Sequence, residues 1–253
     1  MQDSSRETER SKSAMNQTAR RISLSDLFVA FSLVFGLAMT VVTPPFQVPD
    51  EPQHLLRAYQ ISEFHFLPTF RDDKGGAELP TSIALICRPF GDVRYWGEVT
   101  SARTILKTLR IPLRPEVRAY YEFPNTAVYS PLAYLPQAIA VGIGRELRLT
   151  PLTLMYLARF ANLLIWIGSG YLVLRLAPGF RRPMFLLMLM PMALYEAASV
   201  SADVTANWIA LLLAAVIWRE TMEATEERIS QPVLISLCLL SVGLGAGGEP
   251  NAE

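Results

Sequence analysis

The chain has 253 residues, 51% of them hydrophobic, and a formal net charge of zero. That balance excludes the strongly basic surface of a nucleic-acid-binding protein. The apolar residues come in blocks approaching the roughly 20 residues that cross a bilayer as a helix, which excludes an ordinary soluble domain.

Residues 1–24 are polar, carry Arg6, Arg10, Lys12, Arg20 and Arg21, and read as a disordered cytoplasmic tail. The first apolar run, Leu27 to Val42, is long for a signal peptide, and the following Thr43-Pro44-Pro45 lacks a small-x-small cleavage pattern, so 25–43 reads as an uncleaved first transmembrane helix. Residues 44–130 are too polar for lipid and are expected to form a large first extracytoplasmic loop of short helices and turns, with Gly75-Gly76 as loop. Within it, Ala102 to Leu113 alternates Arg103, Lys107 and Arg110 with Ile105, Leu106, Leu109 and Ile111. That pattern suits either a helix lying in the headgroup layer or one packed on the loop. Residues 131–253 read as a transmembrane helical bundle with apolar stretches at 131–147, 152–176, 184–200, 204–218 and 233–247. The fold class is all-α and polytopic. The last stretch stops at Gly247-Gly248-Glu249-Pro250 shortly before the end of the sequence, so the chain looks like the N-terminal part of a larger protein.

Basic residues near spans favour the cytoplasm, which places the N-terminus inside and Asp50 outside. If 131–147 is re-entrant or lies on the surface, Arg175, Arg181, Arg182 and Arg219 fall inside, and Asp203 shares a membrane face with Asp50 and Glu51. If the stretch crosses, Asp203 lies on the opposite face. The first arrangement is preferred, because the stretch is short and contains Pro131 and Pro136.

The chemistry concentrates where the first span ends, in Pro44-Pro45-Phe46-Gln47-Val48-Pro49-Asp50-Glu51-Pro52-Gln53-His54-Leu55-Leu56-Arg57. Pro52 suits the first turn of a helix. Asp50 or Glu51 would cap it, Asp50 and Gln53 having the spacing of a capping box. Asp50, His54 and Arg57 share one face. The plain reading is a capped helix whose charges pair. The functional one is a set of acids held by a rigid lead-in just above the lipid. A carboxylate there can accept a proton from an attacking hydroxyl. No cofactor is named by the sequence; a divalent cation held by Asp50, Glu51 and His54 is the candidate. Cations such as Arg57, Arg88 and Arg159 can meet phosphate. Elsewhere, Cys87 and Cys238 read as packing residues without metal or disulfide spacing, and His65 as packed or interfacial. Tyr120, Tyr121, Tyr129 and Tyr134 read as an aromatic belt or as sugar-stacking rings, and Asn162 as a helix–helix hydrogen-bonding residue. Glu196 is costly in lipid unless paired.

The stretch Pro45-Phe46-Gln47-Val48-Pro49-Asp50-Glu51-Pro52-x-His54-x-x-Arg57-Ala58-Tyr59 resembles a bacterial family of multi-pass membrane proteins of unknown function, regarded as related to the GT-C superfamily of membrane glycosyltransferases. Tyr129-Ser130-Pro131-Leu132-Ala133-Tyr134-Leu135-Pro136, Ala158-Arg159-Phe160-Ala161-Asn162-Leu163-Leu164 and Ser199-x-Ser201-Ala202-Asp203 extend the resemblance over most of residues 27–218. It implies a GT-C-like N-terminal half in the bacterial inner membrane. The implied activity is transfer of a sugar from a polyprenyl-phosphate carrier to a cell-envelope acceptor. Asp50, Glu51 and Asp203 would be the catalytic acids, and His54, Arg57 and Arg159 the substrate contacts. The implied partners are membrane lipids and the lipid-linked sugar. Two rivals remain: a non-catalytic component of envelope polysaccharide assembly or export, and a transporter, which would carry a broken helix near mid-membrane.

Overall fold

A computed structural model of the chain describes residues 22–91, 100–223, 235, 237–239 and 241–242. Nearly all of the expected tail at 1–24, and much of the stretch expected at 233–247, lie outside the described residues.

Helix α1, Leu24–Val42, starts in a reciprocal cap: the Asp26 N–H donates to Ser23 Oγ and the Ser23 N–H to Asp26 Oδ2, both at 3.1 Å. Its 19 residues rise about 28 Å, close to the hydrocarbon thickness of a bilayer. One stripe of small and polar residues, Ser25, Ser32, Gly36 and Thr40 with Phe28, is buried. Val34, Phe35, Val41 and Val42 stand more than half exposed on the outside, an arrangement suited to lipid and costly in water. Helix α7, Pro151–Leu176, is the second helix long and apolar enough to cross a membrane. Gly36 of α1 lies directly under Leu163 of α7, and Gly170 of α7 under Phe28 of α1, so each helix supplies a gap for the other's side chain.

Between them lies the insertion. Helix α2 is Glu51–Ser62, and three strands follow: β1 Thr69–Arg71, β2 Lys74–Pro80 and β3 Arg118–Glu122, in antiparallel order β1-β2-β3. Asp72 and Asp73, both at positive φ, turn β1 into β2 with Arg71 opposite Lys74. This sheet corrects the all-helical expectation. Lys74-Gly75-Gly76-Ala77-Glu78-Leu79-Pro80 has the composition of a loop, but Gly76 is opposite Glu122 and a side chain there would strike the Tyr121 carbonyl and the Tyr120 ring. Among the described residues the insertion also holds the short helices α3 (Thr81–Leu85), α4 (Ala102–Thr108) and α5 (Pro124–Ala127) and a 3₁₀ turn at Arg88–Phe90. In α4 and just beyond it, Ile105, Leu109 and Ile111 pack on the insertion's core while Arg103, Lys107 and Arg110 face out, as the packed reading requires.

A 3₁₀ turn at Pro131–Tyr134 leads into α6, Leu135–Glu146. Its 12 residues rise about 18 Å, short of a crossing. The stretch expected as one span at 184–200 is two helices, α8 (Arg181–Met188) and α9 (Pro191–Ala197). Pro191 forces Met190 into an extended conformation (φ −56°, ψ 137°) and interrupts the hydrogen-bond ladder. Helix α10, Asp203–Trp218, follows a buried turn at 199–202.

Two cores share α7 as their spine. The first half of α7, through Leu152, Leu154, Met155 and Ala158, packs under the insertion with Leu55, Tyr59, Leu79 and Phe123. The second half, through Leu163, Trp166, Val173 and Leu174, packs with Phe28, Met184, Leu194 and Leu212. The seam between the cores is where the charged residues meet.

Candidate functional site

The chain leaves α1 at Thr43 and turns through Pro44-Pro45-Phe46, with Phe46 buried at φ 62°. The turn aims the Phe46 N–H at Glu51 Oε2, 3.0 Å away. Arg159 closes on the same carboxylate, Nε to Oε1 and Nη2 to Oε2, each at 2.7 Å. The Val200 N–H donates to Oε1 at 3.1 Å. The remaining Arg159 N–H groups go to the carbonyls of Thr40, Thr43 and Pro44 at 3.1, 2.9 and 3.1 Å. All acceptor positions of one ion and all donors of the other are thereby filled, and both side chains are fully buried. The expected roles of Glu51 as a reacting or metal-binding acid and of Arg159 as a phosphate contact meet a closed pair with no lone pair or N–H to offer. The pair instead ties the end of α1, the start of α2, the middle of α7 and the 199–202 turn into one joint.

Asp50 occupies the N-cap of α2 in the left-handed conformation, φ 56°, and its side chain makes no capping hydrogen bond. The expected capping box is therefore not formed. An aspartate at positive φ is in a locally strained conformation. His54 is buried one turn on, with Nδ1 2.8 Å from the Tyr134 hydroxyl and its ring tilted against those of Tyr129 and Tyr134. Burial lowers the His54 pKa; the charges of Asp203, Asp50 and Glu51 oppose that lowering, Asp203 most. Asp203 therefore lies close enough to act on His54, although the two are far apart in sequence.

The 199–202 turn carries Asp203 there. Asn162 donates to the Ser199 and Ser201 carbonyls at 2.8 and 3.1 Å, Gln137 to Ser201 at 2.8 Å, and Thr205 to Ala133 at 2.9 Å. Asn162, expected to hydrogen-bond another helix, instead holds the turn between α9 and α10, while Gln137 had no signal beyond being one amide in an apolar helix. Asp203 itself is exposed at the first turn of α10, and its N–H is held by Ser201 Oγ at 3.1 Å. Glu196 adjoins, accepting from Asn207 Nδ2 at 3.3 Å.

Arg57 is 1% exposed and donates to Gln60 Oε1, to the Phe66 carbonyl at 2.9 Å and to the Tyr129 carbonyl at 3.4 Å. These are neutral oxygens, and its Nε has no partner among the described residues. Burial lowers its pKa. Tyr134, expected in an aromatic belt, is instead fully buried as the partner of His54. Tyr120 is pinned by the Thr69 and Lys74 carbonyls. His65, expected packed or interfacial, is exposed. The Cys87 thiol is pushed up to about 12 by burial and is chemically quiet. Among the described residues, no group of three His, Cys, Asp or Glu side chains converges as a metal site.

A family model described as "predicted membrane protein (DUF2142)" matches residues 33–248. No curated protein and no solved structure matches the chain.

Proposed function

This chain belongs to the DUF2142 family of predicted membrane proteins, and from that premise we propose that it is a GT-C-like glycosyltransferase of the bacterial inner membrane, moving a sugar from a polyprenyl-phosphate donor to a cell-envelope acceptor. The observation that carries the reading is that Thr205 of α10 bonds the Ala133 carbonyl at 2.9 Å beside Tyr134, whose hydroxyl meets His54 at 2.8 Å, with Asp203 and Asp50 both acting electrostatically on His54. Carboxylates in the electrostatic neighbourhood of a buried imidazole can take the proton of an attacking hydroxyl as the bond to the carrier phosphate breaks. Asp50 is the base, Asp203 shares or orients the acceptor, and neutral His54 relays through the Tyr134 hydroxyl. Arg57, a buried guanidinium among neutral oxygens, is the cation for the departing phosphate. Glu51 and Arg159 are positioning residues, and the short α6 stands against α7 without crossing.

A transporter would set its ionisable groups at the helix break. The residues of the break, Leu189, Met190 and Pro191, are apolar, and the acids gather elsewhere. The test is the glycan profile of cells carrying Asp50→Asn or Asp203→Asn as the sole copy. Transfer predicts loss of one glycan component with the variant protein present at normal level. An unchanged profile for both variants rules out transfer and leaves the assembly-component reading.

A further inference from the structure

A cavity lies at the far end of α2, about 18 Å from Asp50 along the helix. Its volume is about 590 Å³, within the range of small-molecule sites. Glu63 forms its floor, clamped by Arg118 (Nη1 to Oε1 3.0 Å, Nη2 to Oε2 2.6 Å) and by Arg145 Nη2 at 3.2 Å. Arg145 also donates to the Ser62 carbonyl and hydroxyl and lies over the Tyr59 ring. The rim mixes Phe64 and Leu67 with the polar His65 and Thr69. Phe64 and Leu67 are each 82% exposed. Gln60 Nε2 holds the Leu67 carbonyl at 2.8 Å and Arg57 holds that of Phe66. Phe64 sits at φ 62°, a strained conformation for a bulky residue, and it points the ring outward. A further cavity of about 560 Å³ adjoins, sharing Arg145 and Glu146 as walls.

The geometry points to a binding site for a neutral glycan chain. Three carboxylates (Glu63, Glu78, Glu146) and two guanidiniums (Arg118, Arg145) line the first cavity, so neither an anionic headgroup nor a cation finds a complementary field. A hydroxyl both donates and accepts, so a polyol satisfies donors and acceptors set side by side. The exposed Phe64 ring offers an apolar face to sugar C–H groups. Adjoining cavities suit a chain of sugars better than a single one. This inference does not rest on the transfer reading, since Asp50, His54 and Asp203 take no part in it.

Full-length protein in nanodiscs, mixed with maltohexaose and with chitotetraose, tests it by saturation-transfer NMR and calorimetry. At least one of the two oligosaccharides binds, Phe64→Ala and Glu78→Gln each weaken it fivefold or more, and Asp50→Asn leaves it unchanged. Both substitutions are at exposed positions, so the melting temperature stays that of the parent. Binding of neither oligosaccharide, binding indifferent to both rim variants, or binding lost with Asp50→Asn would overturn it. So would uptake of inorganic phosphate or anionic vesicles at this cavity in place of the oligosaccharides. Oligosaccharide binding together with an unchanged glycan profile in Asp50→Asn cells would keep this site and remove the transferase.

Discussion

The adjacent acids Asp50 and Glu51 have opposite fates. Glu51 points inward to Arg159, and Asp50 sits at the N-cap of α2 at positive φ without capping it. Removing one member of a fully buried pair leaves the other charge without compensation, at a cost of about 3–5 kcal/mol. Glu51→Gln or Arg159→Met therefore lowers the thermal midpoint of the purified protein steeply and cuts its amount in the membrane, whereas Asp50→Asn does neither. The Glu51→Gln/Arg159→Met double variant loses less than the sum of the single losses, because no lone ion remains. His54 gives a pH signature. Its folded pKa lies below the ordinary 6.5, so the unfolded chain takes up the proton first. Stability is then full above about pH 6.5, falls as pH drops through that value, and levels off below the folded value. Melting curves from pH 7.5 to 5 show this loss, and His54→Gln flattens it. That Pro52, His54 and Arg57 stand on a helix opening just after the first span was legible in the sequence, because Pro52 suits a first turn. The Glu51–Arg159 bond was not, because nothing local marks which charges meet across more than a hundred residues.

At the level of elements, the sequence disclosed what periodicity and hydropathy encode. The apolar runs behind α1 and α7 stand where they were expected. The sheet was hidden because Gly75, Gly76 and Pro80 speak against a strand, and their pairing depends on Tyr120 and Tyr121 arriving from forty residues away. The break between α8 and α9 was hidden by an unbroken apolar composition, although Pro191 causes it. The α1–α7 contact makes a prediction of its own. Gly36→Val drives a side chain into Leu163 and costs about 1–3 kcal/mol; in a Leu163→Ala background the same substitution costs less. Equal losses in both backgrounds, measured by thermal unfolding, would remove this contact from the account.

For the whole molecule, two cores strung on α7 meet in one polar joint. Through that joint, the start of the insertion and the 199–202 turn are fixed to each other, and Asp50, His54 and Asp203 are brought into one electrostatic neighbourhood. The membrane family and the two long apolar helices agree with the composition, and the orientation of the joint is the quantity on which the proposed chemistry depends. Single cysteines at Gln47 and Asp203, in a Cys87→Ser/Cys238→Ser background, measure it directly with a membrane-impermeant maleimide applied to intact cells. Labelling of both positions from the outer side is the predicted result. Labelling of the two from opposite sides, or of both only after the cells are opened, would contradict it.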